Sequence, residues 1–308
     1  VTAIPLLIDT DPGVDDAWAI LLAAQRQSHQ LVGLSVVGGN VGLAATCRNA
    51  CRLVDMLGGG ITVYPGAARP LLGGVGDAAH VHGKDGFGDA ELPPPLHQPA
   101  TLNAAQAIIE QARAHAGRLQ ILALGPLTNL ALALRLEPDL PSLVDHLVVM
   151  GGALDGIGNL TEQAEFNFAF DPEAAEIVLR DWNQLVLVDW SITLSQAPAV
   201  AAVEALLAVD TPQAGLMRQI TGQVRRFLGN VGADRWALAD PLAAHVLLDG
   251  GCWSAREHAV RIELDEGPAR GASRLLPPQP GRALVRVPDY AQANYLGALA
   301  GGLGHGTS

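Results

Sequence analysis

The sequence predicts an α/β fold: a mainly parallel open sheet flanked by helices, Rossmann-like, with a small late β-appendage. Three observations carry this. Short apolar, β-rich runs alternate with segments of helical period along most of the 308 residues. Polar turns follow those runs repeatedly, where a parallel sheet has its carboxyl ends. Apolar residues make up 49% of the chain and charged ones only 16%, enough for a large core on both faces of a sheet. No linker, internal repeat or charge block divides the chain, so residues 1–308 are expected to form a single domain.

In order, the run ending Leu6-Leu7-Ile8 reads as the first strand. It stops in an acidic turn, Asp9 to Asp16, before the buried helical segment from Ala17 to Ala24. Leu31 to Val37 is a second strand ending at Gly38-Gly39-Asn40, followed by a helix from about Leu43 to Leu57 and a short strand at Ile61 to Tyr64. Residues 65–100 are rich in Gly, Pro and His without a sustained period, which suits an active-site lid or a mobile loop. A helix over 102–115 leads to strand Leu119 to Leu124, and Gly125-Pro126-Leu127-Thr128-Asn129 opens the next helix. Strand His146 to Met150 ends in Gly151-Gly152, and a helix follows Asp171-Pro172. Strand Leu185 to Val188 precedes a mostly helical stretch from 196 to 248. Residues 257–287 read as strands, a helix is expected from Pro288 onward, and the Gly-rich tail 301–308 as frayed.

Composition excludes several roles. With 19 basic and 31 acidic residues the net charge is −12, which argues against nucleic-acid and anionic-membrane partners. No apolar run is long enough to span a bilayer and no basic-then-apolar leader is seen, while the start at Val1 would hide a removed one. The three cysteines, Cys47, Cys51 and Cys252, form no disulfide framework and suit a reducing cytoplasm, the expected location. Cys47 and Cys51 stand four apart on a helix, but no nearby ligand completes a zinc set, so packing is their expected role.

The strongest chemical signal is the turn Asp9-Thr10-Asp11-Pro12-Gly13-Val14-Asp15-Asp16. Four carboxylates within eight residues repel one another and need an offset. A divalent cation taken by hard oxygens supplies one, whereas a helix N-cap needs a single Asp. Asn40, the 124–129 turn and the 151–167 loop also follow strands, so one sheet rim would gather them with the acidic turn. Asp240, before Pro241, is a further candidate, with N-capping as its alternative role.

These residues resemble the signature of the nucleoside hydrolases of the inosine–uridine-preferring type. The acidic octapeptide, Val37-Gly38-Gly39-Asn40, His82-Gly83, Gly125-Pro126-Leu127-Thr128-Asn129, Met150-Gly151-Gly152, Ala164-Glu165-Phe166-Asn167 and Asp171-Pro172-Glu173-Ala174-Ala175 are similar to family blocks in the family's order. The similarity covers about residues 4–300. It implies Ca²⁺-dependent hydrolysis of the N-glycosidic bond of ribonucleosides, releasing free base and ribose in purine or pyrimidine salvage. By resemblance Asp11, Asp16, Asp240 and the Leu124 carbonyl hold the ion. Asp15, Asn40, Asn159, Glu165 and Asn167 hold the ribose, and Asp9 supports its neighbours. Asp11 would be the general base toward water, with inversion. A homodimer or homotetramer is expected on the same ground.

On the base side the chain departs from the family pattern. The position before the last metal-binding Asp is a His in one branch and a Trp in another; here it is Ala239. His82, Phe227 and Trp236 are the candidate base contacts, with Arg235 beside the last. An alternative reading is therefore a catalytically impaired nucleoside- or ribose-binding member of the fold. A third reading, a Mg²⁺ phosphotransferase suggested by Asp9-Thr10-Asp11 after a strand, needs a downstream lysine. The sole lysine is Lys84, in the Gly-rich loop.

Overall fold

The computed structural model describes residues 3–73, 76–250, 253–289 and 294–304. The strands are β1 (Ile4–Thr10), β2 (His29–Val36), β3 (Val63–Pro65), β4 (Leu119–Ala123), β5 (Val144–Met150), β6 (Gln184–Val188), β7 (Ser254–Ile262), β8 (Ser273–Leu276) and β9 (Leu284–Asp289). They form one nine-stranded sheet in the order β3-β2-β1-β4-β5-β6-β9-β7-β8. Every pairing from β3 through β9 is parallel, and β7 runs antiparallel to both β9 and β8. The late β-segment is thus continuous with the main sheet, because β9 pairs with β6 and carries β7 and β8 at its edge.

Why the strands read as unbroken apolar runs is visible in β1. Leu6 and Ile8 pack into the core on one face and Leu7 into the core on the other, all with no exposed surface. A parallel strand covered on both sides alternates faces without alternating polarity. Each such side chain contributes roughly 2 kcal/mol by burial. On the first face lie α1 (Val14–Ala24), α2 (Leu43–Met56), α10 (Val200–Leu207), α11 (Pro212–Ile220), α13 (Ala239–Leu248) and α14 (Tyr295–Gly302). On the second lie α4 (Ala104–Ala114), α5 (Thr128–Leu136) and α8 (Pro172–Asp181). Helix α13 is buried along its whole length. Cys47 and Cys51 are core residues of α2, and burial raises both thiols to about 11, in keeping with packing. Cys252 lies outside the described residues.

The described parts of the stretch 65–100 are tied down by the polar face of α2. Asn49 donates to the carbonyls of Pro12 and Asp85, and Arg52 donates to those of Leu92 and Pro93. The Asp55 carboxylate accepts from the backbones of Leu96 and His97. Within the stretch, Ala79–His82 forms the short helix α3.

One element differs from expectation. Pro288 does not start a helix: β9 runs on to Asp289 with Pro288 opposite Ala255, and α14 begins at Tyr295 behind an Asn294 cap. The alternation of buried Val285 and Val287 decides the matter. Beyond Arg286, β9 no longer pairs with β6, so the missing N–H of proline is tolerated. The first part of the tail expected to fray is also ordered differently, because Gly301 and Gly302 close α14 and Leu303 is fully buried; residues 305–308 lie outside the described residues.

Asp171 is a local test of these connections. Its Oδ1 accepts from Ala174 N (3.1 Å) at the start of α8, and its Oδ2 accepts from Thr128 Oγ1 (2.6 Å) and Leu71 N (2.9 Å). Asp171→Ala removes the cap and strands three donors, so urea denaturation should show a loss of about 2–3 kcal/mol.

Candidate active site

Strand order reverses between β1 and β4: β2 and β3 follow β1 in one direction, and β5 and β6 follow β4 in the other. Such a switch point leaves a crevice beyond the carboxyl ends. The acidic turn after β1 and the turn after β4 therefore sit side by side. Asp9 ties them together: its Oδ1 accepts from Ser35 Oγ on β2 (2.6 Å) and from Asn129 Nδ2 on α5 (2.9 Å). Burial raises its pKa to about 7, and its Oδ2 has no partner.

Asp11 follows. Asn40 N donates to its Oδ2 (2.7 Å), while its buried Oδ1 has no partner. Gly125 must lack a side chain here, since a Cβ would lie 2.5 Å from Asp11 Oδ1. Asp16, in the first turn of α1, accepts from Thr10 Oγ1 (2.5 Å), Gly13 N (3.0 Å) and Asn40 Nδ2 (3.1 Å). Asp240, in the first turn of α13, is buried with a carboxylate oxygen within 4.8 Å of one on Asp16. Desolvation, then repulsion from neighbouring aspartates, drives Asp11 and Asp240 well above the usual carboxylate range. Burial raises Asp15 to about 6 and also raises Asp16.

The carboxylates that come closest together are Asp15, Asp16 and Asp240, with one oxygen of each within 4.8 Å of the others. Asp11 stands outside that trio because the Asn40 N–H turns its carboxylate toward the end of β2. The expected split between Asp15 and Asp16 shows in exposure instead: Asp15 is half-buried and lines the cavity, and Asp16 is fully buried beneath it.

That cavity holds roughly 360 Å³. Leu124, Asp15, Asn40, Asn159, Glu165, Asn167 and Asp240 line it, as do His82, Phe227 and Trp236; Asp11 and Asp16 do not. Glu165 caps α7 (Phe166–Phe170): both of its oxygens accept backbone N–H groups, from Asn167, Gly152 and Phe168. Burial raises it to about 7. Asn167 Nδ2 donates to the Leu124 carbonyl (2.7 Å) and to that of Met150 (3.2 Å), which joins the ends of β4 and β5. Asn159 Oδ1 accepts from Phe166 N (2.8 Å).

On the base side, His82 Nδ1 accepts from Val14 N (3.1 Å), and burial lowers the ring to about 4, so it is neutral. Trp236 is buried, and Phe227 is 61% exposed on α12 (Gly222–Asn230). Ala239 lines the cavity, whereas Arg235 does not; it donates to the Ala197 carbonyl instead. Lys84 is exposed and lies outside the wall, so the wall lacks the lysine a phosphotransferase needs. Sequence reasoning missed Trp190, Phe166 and His80 in the wall. Trp190 directly follows Asp189 beyond β6, where the strand-end rule already pointed.

The donor set fits a hard divalent cation. Among the described residues no Lys or Arg pairs with Asp9, Asp11, Asp15, Asp16 or Asp240, and Asp11 Oδ1 is both buried and unpartnered. Each pair of like charges at this spacing costs roughly 3 kcal/mol at an effective dielectric near 20. Carboxylate and carbonyl oxygens are the ligands Ca²⁺ takes.

A family model described as inosine-uridine preferring nucleoside hydrolase matches residues 6–292. The chain belongs to that family. It is an enzyme of the nucleoside hydrolase class, acting on N-glycosyl compounds. It is similar to the pyrimidine-specific ribonucleoside hydrolase RihA of Escherichia fergusonii, 33% identical over 85% of each chain. It is 42% identical to uridine nucleosidase 1 of Arabidopsis thaliana over 61% of this chain and 56% of that one, a little over half of that relative. A solved plant nucleoside hydrolase, PpNRh1, superposes with a TM-score of 0.90 at 26% identity, covering 99% of each chain. No helix among the described residues is long and apolar enough to cross a membrane.

The raised carboxylates give this nucleoside hydrolase a pH signature when stripped of metal. A carboxyl whose folded pKa exceeds its unfolded one contributes stability below the unfolded value and loses it as pH rises through the folded value. With Asp15 at about 6 and Asp9 and Glu165 at about 7, the melting temperature of chelator-treated protein should fall between pH 4 and pH 8. Added Ca²⁺ should flatten that fall.

Proposed function

We propose that the chain hydrolyses ribonucleosides to free base and ribose, with Ca²⁺ held by Asp11, Asp16, Asp240 and the Leu124 carbonyl and with Asp11 as the base. The single observation that carries this is the buried, unpartnered Oδ1 of Asp11 beside an uncompensated carboxylate cluster at the floor of the cavity. When bound, the ion offsets the cluster and acidifies a water.

The residues of the chain do the rest. Asp11 takes the proton of the attacking water. Asp15, the half-exposed member of the trio, faces the cavity and suits a ribose hydroxyl. Asn40, Asn159, Glu165 and Asn167 surround the sugar with oxygens. Those oxygens favour the positive charge that grows on the ribose as the bond to the base breaks. No carboxylate nucleophile is required, so attack is direct and the product inverted. Trp236, Phe227 and His82 make the base side. The impaired-binder reading drew only on Ala239, and the carboxylate floor and the cavity above it support catalysis instead. Work in purine or pyrimidine salvage and assembly as a homodimer or homotetramer belong to this reading.

Asp11→Asn should cut kcat on uridine or inosine by about 1,000-fold while the melting curve stays cooperative. Near-normal turnover would remove Asp11 as base. Chelation should abolish ribose release, and Ca²⁺ should restore it in the wild type but not in Asp240→Asn; activity indifferent to chelator would sink the metal assignment.

A further inference from the structure

Five titratable side chains line the cavity among the described residues: Asp15, His80, His82, Glu165 and Asp240. Loss of a base from C1′ leaves an electron pair on the base, and a proton delivered there eases departure. Four of the five are committed elsewhere. Asp15 and Asp240 belong to the carboxylate trio. Both oxygens of Glu165 accept backbone N–H groups. His82 spends Nδ1 as the acceptor of the Val14 N–H, which leaves that nitrogen without a proton to give.

His80 is free of those commitments. It is an exposed residue of α3 and lines the cavity, so it meets both solvent and the cavity. Its backbone carbonyl accepts from Gln223 Nε2 of α12 (3.2 Å). That bond holds α3 beside the helix that brings Val224 and Phe227 to the same wall.

We propose that His80 is the proton donor to the leaving base. The inference rests on the hydrolytic reading given above. As the C1′–N bond breaks, its electron pair stays with the base, and the imidazolium of His80 transfers a proton to a basic nitrogen or oxygen of that base. The attacking water forms the C1′–O bond and gives its proton to Asp11. Neutral base and ribose leave, Asp11 gives its proton up to solvent, and the imidazole takes one back, so the cycle closes with no net change in protons.

The test compares wild type and His80→Gln on uridine, inosine and p-nitrophenyl riboside, whose phenolate departs without a proton. On the nucleosides kcat should fall about 100-fold with KM within about threefold, and the loss on p-nitrophenyl riboside should be at least about 30-fold smaller. Thermal melts establish that the variant is folded. Equal loss on all three substrates, or none on the nucleosides, overturns the assignment of His80 alone. Wild-type protein that turns over none of them with Ca²⁺ present overturns the hydrolytic reading and this inference with it.

Discussion

Like charges held together out of water are the constraint on which the rest of the structure depends. Asp9, Asp11, Asp16 and Asp240 are buried with no Lys or Arg paired to them among the described residues. Left alone, such a group would open to solvent or protonate. The fold resists the first outcome with rigid parts. Asp9 and Asp11 leave a strand sealed on both faces, and Asp240 begins a helix buried throughout. It eases the repulsion with helix termini, since Asp15 and Asp16 sit in the first turn of α1 and Asp240 in that of α13. The positive end of each helix dipole faces the cluster. Backbone and side-chain donors from Gly13, Asn40 and Thr10 supply the remaining local compensation.

Most of this was legible in the residues. Alternating apolar runs and helical segments located the six parallel strands from β1 to β6, and polar turns at their ends located the rim. Nearly every residue expected to hold ribose or metal reaches one cavity or the floor beneath it. The failures have physical causes. Pro288 read as a helix start because proline favours that position, yet the Val285/Val287 alternation beside β7 outweighed it. The late strands read as an appendage because sequence gives no hint that β9 would pair with β6. Trp190 was overlooked although it stands where the strand-end rule looks, because its context carries no acidic or glycine-rich signal.

The two halves of the cavity are built from different materials. Its floor comes from strand ends and the first turns of buried helices. Its other side comes from α3 and α12, which have no buried residue, and from the approach to α13, where Trp236 and Leu238 belong to the core. Base recognition therefore combines a fixed wall at Trp236 with two helices seated on the surface.

The strap over 65–100 gives this division a further consequence. Side chains of α2 (Asn49, Arg52 and Asp55) fasten it through its backbone, and Asn49 also ties it to the Pro12 carbonyl of the acidic turn. Where those anchors hold it, over residues 93–97, side chains can change while the path is kept. Around the cavity they cannot, since Gly83, Gly86 and Gly88 have positive φ and Phe87 is fully buried. A lineage carrying this scaffold can therefore vary the far end of the strap at little cost, and its cavity end only at a cost to the fold.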